Sequence, residues 1–172
     1  MKTMRLLEMP ESTESTEKSD CFPMKRIKQD ITEIEHGIIC HQVNAKGVMG
    51  AGLAAQIKTK FPQAFKDYKE VYDTDALKLG SLVISPVSSR TKQQLYIAHI
   101  VGQDDYGRGR TFTNYQAITI ALAQLKKFKA TLDKDLPIYF PYRMGSGLGG
   151  GSWRIVKDII EESFPDAIIC QL

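Results

Sequence analysis

The segments "GVMGAGLA" (47–54) and "GSGLGGGSW" (145–153) each carry glycines from the end of an apolar strand into the start of a helix. That arrangement presents unpaired backbone N–H groups and the positive end of a helix to an anion. Glycine serves there because a side chain would block close approach, and because nest-like turns demand positive φ. Two such loops at the carboxyl ends of strands in one sheet face each other across a crevice, the usual ligand position in open α/β sheets. Together they suit a diphosphate. Neither is a Walker motif, since no Gly-Lys-Ser or Gly-Lys-Thr follows, and "GAGLAA" lacks the G-x-G-x-x-G spacing of a dinucleotide fingerprint. One such loop alone reads equally well as a tight turn against a closely packed helix; the matched pair points to a ligand.

The elements that carry these loops follow from the spacing of apolar residues. "MKRIKQDI" from Met24 opens the series, with "QDI" (29–31) at the end of the first strand, and "GIICHQV" (37–43) reads as a strand buried on both faces. A helix from about Gly52 to Phe61 places Leu53, Ile57 and Phe61 four apart until Pro62 interrupts it. "LGSLVISPV" and "QLYIAHIV" are two strands joined through "SSRTKQ" by a hairpin or short crossover. Thr113 or Asn114 is placed to cap a helix bearing Ile118, Ala121, Leu122 and Leu125. "LPIYFPY" is the next strand, Ser152 is placed to cap a helix with Trp153, Val156, Ile159 and Ile160 inward, and "AIICQL" is the last strand. Strands alternating with helices give an α/β class with a largely parallel sheet.

The chain has 172 residues, 42% hydrophobic and 25% charged, which suits one soluble domain with a full core and argues against fibrous, disordered or membrane classes. No apolar run approaches the roughly 20 residues that cross a bilayer, and the N-terminus lacks a secretory pattern, so a cytoplasmic protein with no membrane partner is expected. Residues 1–23, with "MPESTESTEKSD", read as a flexible extension, and 24–172 as the folded domain. Three basic against five acidic residues leave the extension at −2, so of the net +3 the remainder carries +5, as suits an anionic ligand. Cys21, Cys40 and Cys170 are odd in number and read as reduced thiols, while His36, His41 and His99 form no metal spacing with them. No metal and no cofactor are expected.

"QDI", "HQVNAKGVMGAGLA" (41–54) and "FPYRMGSGLGGGSW" (140–153) resemble the three signature segments of macro domains, the ADP-ribose-binding modules. The resemblance spans Met24 to Leu172 and implies a three-layer α/β/α fold with a mixed, largely parallel central sheet. It implies that Asp30 holds the adenine amino group with Ile31 packed nearby; an acidic residue at a strand end otherwise simply faces water. Asn44 falls near the distal ribose, where its amide both donates and accepts, although an Asx turn before the loop accounts for it too. Gly50, Ala51, Gly52 and Leu53 would lie against the distal ribose and one phosphate. Gly145, Ser146, Gly147, Leu148, Gly149 and Gly150 would wrap the diphosphate from the other side, with Tyr142 at the mouth to pack on adenine or ribose.

The H-x-x-N start of the first loop and the second loop are most similar to the branch that includes the yeast-type ADP-ribose 1''-phosphate phosphatase and related bacterial and phage proteins. That branch implies His41 as a general acid or base beside the distal ribose, with Asn44 at the same reacting end; histidine suits proton transfer near neutrality. The alternatives are a reader that turns over nothing and a hydrolase of ADP-ribosyl groups on protein or nucleic acid. Branches of the last kind use a lysine where this chain has Gln103 or its neighbours, and some use an aspartate where Gly149 stands. The partner implied is ADP-ribose or ADP-ribose 1''-phosphate, with ADP-ribosylated macromolecules as further targets, and a monomer is expected. "RGR" (108–110) has the geometry to clamp a terminal phosphate but equally suits a solvent-facing run, and Asp104, Asp105 and Tyr106 read first as a solvated loop, with reach to the ligand as the alternative. Trp153, at a first helical turn, reads as core rather than as a stacking platform.

Overall fold

The computed structural model describes residues 24–172; the expected extension, 1–23, with Cys21 inside it, lies outside the described residues. Six strands, β1 (Lys25–Lys28), β2 (Gly37–Asn44), β3 (Leu82–Ser88), β4 (Gln94–Gln103), β5 (Ile138–Pro141) and β6 (Ile168–Gln171), form one sheet in the order β1-β6-β5-β2-β4-β3. Neighbours are parallel except β3 and β4, which form the antiparallel hairpin at one edge. The helices are α1 (Gly52–Lys60), α2 (Pro62–Asp73), α3 (Tyr115–Lys129) and α4 (Trp153–Ser163).

The strand period of two sorts the core into layers. Ile38 and Cys40 of β2, with Ala98 and Ile100 of β4, pack against Ile118 and Leu122 of α3 and Val156 and Ile160 of α4. Ile39 and Ile97, on the opposite face, pack against Ile57 of α1 and Ala64 of α2, and Val43 and Val101 reach Tyr68 of α2. The sheet is thus covered on both sides, the three-layer arrangement that the near-continuous apolar run of β2 requires.

Local details correct or refine the sequence reading. β1 ends at Lys28, so "QDI" lies past it: Asp30 Oδ1 accepts from the Thr32 N–H at 2.9 Å and from its hydroxyl at 2.8 Å, starting a 3₁₀ turn over Ile31–Glu33. Pro62 ends α1 and is also the first residue of α2, where its missing N–H is harmless. α2 buries Ala64 and Tyr68, with Phe65 and Val71 partly buried beside them. Ser152 stands at the N-cap of α4, but its side chain makes no capping bond; its own N–H goes to the Tyr115 hydroxyl at 2.8 Å. Asn114, not Thr113, caps α3 by accepting from the Ala117 N–H at 2.9 Å.

Cys40 and Cys170 are buried free thiols, and burial pushes both up, Cys170 to about 11, so neither is poised to react. Among the described residues no helix is long and apolar enough to cross a membrane.

Candidate functional site

Parallel strands bring the carboxyl ends of β2, β4 and β5 to one edge of the sheet, where a cavity of about 780 Å³ opens between the two glycine loops. Its wall includes His41, Asn44, Gly50, Ala51, Gly52, Leu53, Tyr142, Gly145, Ser146, Gly147, Leu148 and Gly149. Gly150 stands just behind, against Thr111. Asp30 and Ile31, in the turn that follows β1, are not part of the wall; one carboxylate oxygen of Asp30 is occupied by Thr32, and Ile31 is buried in the core.

The first loop is built around Asn44. Its Oδ1 accepts from the Lys46 N–H at 2.9 Å, which is an Asx turn, and from the Tyr68 hydroxyl at 2.9 Å, while its Nδ2 donates to the Val48 carbonyl at 2.8 Å. Tyr68 also donates to the Asn44 carbonyl at 2.6 Å, and Met49 anchors the loop tip in the core. The chain then turns through Gly52, at φ +57°, into α1. Among the described residues no side chain caps α1 at Ala51, and Gly52, Leu53 and Ala54 of its first turn line the cavity. The left-handed turn at Gly52 is the conformation for which glycine was expected there.

The second loop is held from beneath. Gln42 Nε2 donates to Gln103 Oε1 and to Thr113 Oγ1, each at 2.9 Å, and the Thr113 hydroxyl donates to the Gly145 carbonyl at 2.6 Å. The Gly149 carbonyl accepts from the N–H groups of Phe112 at 2.8 Å and Thr113 at 3.0 Å. A Cβ at Gly149 would lie 2.4 Å from Thr113 Oγ1, so this position takes glycine and nothing larger. Leu148 is 58% exposed, an apolar side chain at the rim. Tyr142 stands at the mouth with the Arg26 guanidinium 4.7 Å from its ring centre and Trp153 edge-on at 5.4 Å; Trp153 itself is half-buried against the core.

Among the described residues no Asp or Glu lines the cavity, whereas Arg108 and Arg143 do. Arg110 is turned away, paired with Asp104 at 3.1 Å and laid over Phe112, and this pairing holds the Asp104 carboxyl below its ordinary range. Gln103 and Tyr106 also reach the wall, but both ends of the Gln103 amide are taken, one by Gln42 and the other by the Asp105 carbonyl at 2.8 Å. His41, 1% exposed, is held through Nε2 by His99 Nδ1 at 2.7 Å, and its Nδ1 has no partner. Burial, then the neighbouring His99, keeps the His41 imidazole well below its usual range, and burial pushes His99 down to about 3. Both rings are neutral near pH 7.

The Macro domain family model matches residues 40–160, from the middle of β2 to the end of the α4 core stripe. The chain belongs to the macro domain family. This macro domain is 30% identical over 141 residues to an uncharacterized 17.5 kDa protein in the tk-vs intergenic region of Enterobacteria phage T4, covering 80% of this chain and 88% of that one. It is 27% identical over 150 residues to the ADP-ribose 1''-phosphate phosphatase of Saccharomyces cerevisiae strain YJM789, covering 73% and 82%. The macrodomain of Mycobacterium tuberculosis DarG shares its fold at a TM-score of 0.75 and 21% identity, covering 87% and 97%.

Several residues that shape this macro domain's site are not evident from its motifs. Gln42 and Thr113 lie 71 residues apart and meet only because β2 pairs with β4. His99 reaches His41 across the same part of the sheet, and Ser85 reaches His99. Arg108 was visible in "RGR", and the structure separates it from Arg110 by placing only the first on the cavity.

Proposed function

We propose that this macro domain binds ADP-ribose in the cavity between its glycine loops and removes the 1''-phosphate from ADP-ribose 1''-phosphate. The observation that carries the reading is the cavity itself: the uncapped first turn of α1 on one side, a glycine loop on the other, two arginines and, among the described residues, no carboxylate in its wall. This is a lining for an anion of diphosphate size. The name of the yeast relative supports the reaction.

Hydrolysis joins a water oxygen to phosphorus and breaks the bond from phosphorus to the 1''-oxygen, which leaves as a hydroxyl bearing one of the water protons. His41 and Asn44, at the end of β2, are the side chains assigned to the reacting end. The glycine loops orient the diphosphate, and Arg108 supplies positive charge for a terminal phosphate. In the test, His41→Ala lowers phosphate release by about 100-fold or more while ADP-ribose binding is kept; a variant with full turnover removes His41 from the reaction.

One observation favours a second reading, a module that binds ADP-ribose without turnover. Both polar atoms of the Asn44 amide hold the first loop, and His41 is almost wholly covered, so the reacting end is largely committed to the fold. Saturable binding with no product from any ADP-ribose derivative is the outcome that selects it. Removal of ADP-ribosyl groups from macromolecules is less well served, since the Gln103 amide is engaged and Gly149 leaves no room for a carboxylate.

A further inference from the structure

Three polar side chains stand in a row on the α1/α2 face of the sheet. His41 Nε2 lies 2.7 Å from His99 Nδ1, and His99 Nε2 lies 3.0 Å from Ser85 Oγ. They come from three adjacent strands, β2, β4 and β3, with His41 and His99 directly opposite in register. His99 and Ser85 are fully buried, so no water reaches the row from behind.

Each ring nitrogen either donates or accepts, but the end of the row limits the choice. Ser85 Oγ makes this one hydrogen bond. If it accepts, its own O–H is left unpaired in the core; if it donates, it is satisfied. Donation makes His99 Nε2 an acceptor, so the His99 proton sits on Nδ1 and is given to His41 Nε2. His41 then carries its own proton on Nδ1, a buried nitrogen without a partner among the described residues, in a residue of the cavity wall. The opposite polarity leaves two groups unmet instead of one, the serine hydroxyl and the His41 Nδ1 lone pair.

We propose that Ser85 and His99 are positioning residues that hold His41 in its neutral Nδ1–H tautomer, so that His41 offers the ligand a hydrogen-bond donor and not a base. The consequence rests on the phosphatase reading. A fixed N–H beside the phosphoryl or departing oxygen favours negative charge as it builds there, and the burial of His99 and Ser85 keeps the donor in place. Abstraction of a proton from water needs a free lone pair at Nδ1, which this tautomer lacks. Burial of both rings, already noted, keeps the row neutral. The Ala64 backbone also faces the His99 ring, and a His99 proton shared with it from Nε2 is the arrangement that reverses the row.

Long-range proton–nitrogen correlation spectra of the full, nitrogen-15-labelled chain near neutral pH read the tautomers directly. The expected result is Nδ1–H for both His41 and His99; an Nε2–H form of His41, or a protonated ring, overturns the proposal. In Ser85→Ala the donor is gone, so the Nε2–H population of His41 rises, and phosphate release falls about tenfold with ADP-ribose affinity held within about threefold. An unchanged tautomer in that variant overturns the role of Ser85. The spectrum needs no substrate, so absence of turnover in the wild-type protein overturns the phosphatase reading, while the tautomer stands or falls by its own result.

Discussion

Gln42 and Thr113 join the two halves of the site: the Gln42 amide donates to the Thr113 hydroxyl at 2.9 Å, and that hydroxyl passes its own proton to the Gly145 carbonyl at 2.6 Å. The shape of the second glycine loop is therefore set from the sheet, not by the loop alone. Gln42 Oε1 is left buried without a partner, directly beneath the loop.

Thr113→Val keeps the shape of the side chain and removes both bonds. A cost of about 1–3 kcal/mol in stability is expected from the unmet Gln42 and Gly145 groups. Loss of loop geometry lowers ADP-ribose affinity by about tenfold. Urea unfolding and calorimetric titration on the same variant check the two effects; a variant that unfolds earlier yet binds normally shows that the latch serves only the fold.

Two glycines of the same loop separate fold from ligand contact. Nothing lies within 4 Å of a Cβ placed at Gly147, whereas one at Gly149 meets Thr113 Oγ1 at 2.4 Å and the Gly145 carbonyl at 2.8 Å. Gly147→Ala is expected to change stability by less than about 0.5 kcal/mol and to weaken ADP-ribose binding by crowding the ligand. Gly149→Ala is expected to cost about 1–3 kcal/mol through overpacking. Equal melting temperatures for the two variants contradict this assignment.

Tyr68 supports the first loop from outside the cavity. Tyr68→Phe removes the hydroxyl that reaches the Asn44 carbonyl at 2.6 Å and its Oδ1 at 2.9 Å. A loss of about 1–3 kcal/mol is expected, together with weaker ADP-ribose binding from a residue that never meets the ligand. Unaltered binding shows that Asn44 holds the loop without Tyr68.

How far the sequence revealed these relationships depends on range. The two glycine loops, the strand that ends at Asn44 and the helix that starts at Gly52 are local patterns, and each appears where its residues place it. The Asx turn at Asn44 is local too, and the amide is spent on it. Strand pairing is not local: that β4 lies beside β2 decides that His99 meets His41 and that Gln103 meets Gln42, and no periodicity encodes it. α2 was hidden for another reason, since Pro62 stops one helix by the same chemistry that starts the next.

Acid should unfold this protein early. His41 and His99 are neutral in the fold, with His99 at about 3, while in the unfolded chain both protonate near 6.5. Below that value the unfolded state binds more protons, so stability is full above about 6.5 and falls as the pH drops toward about 3. Urea midpoints measured near neutrality and again at about pH 5 test this, and equal midpoints contradict a neutral buried pair.

The most direct measurement is phosphate release from ADP-ribose 1''-phosphate by the purified wild-type protein, read beside a titration with ADP-ribose. Inorganic phosphate and ADP-ribose appearing in equal amounts, with saturable ADP-ribose binding, is the predicted result. Binding without any phosphate contradicts the hydrolytic assignment and leaves a reader of ADP-ribose; failure to bind ADP-ribose at all contradicts the assignment of the cavity.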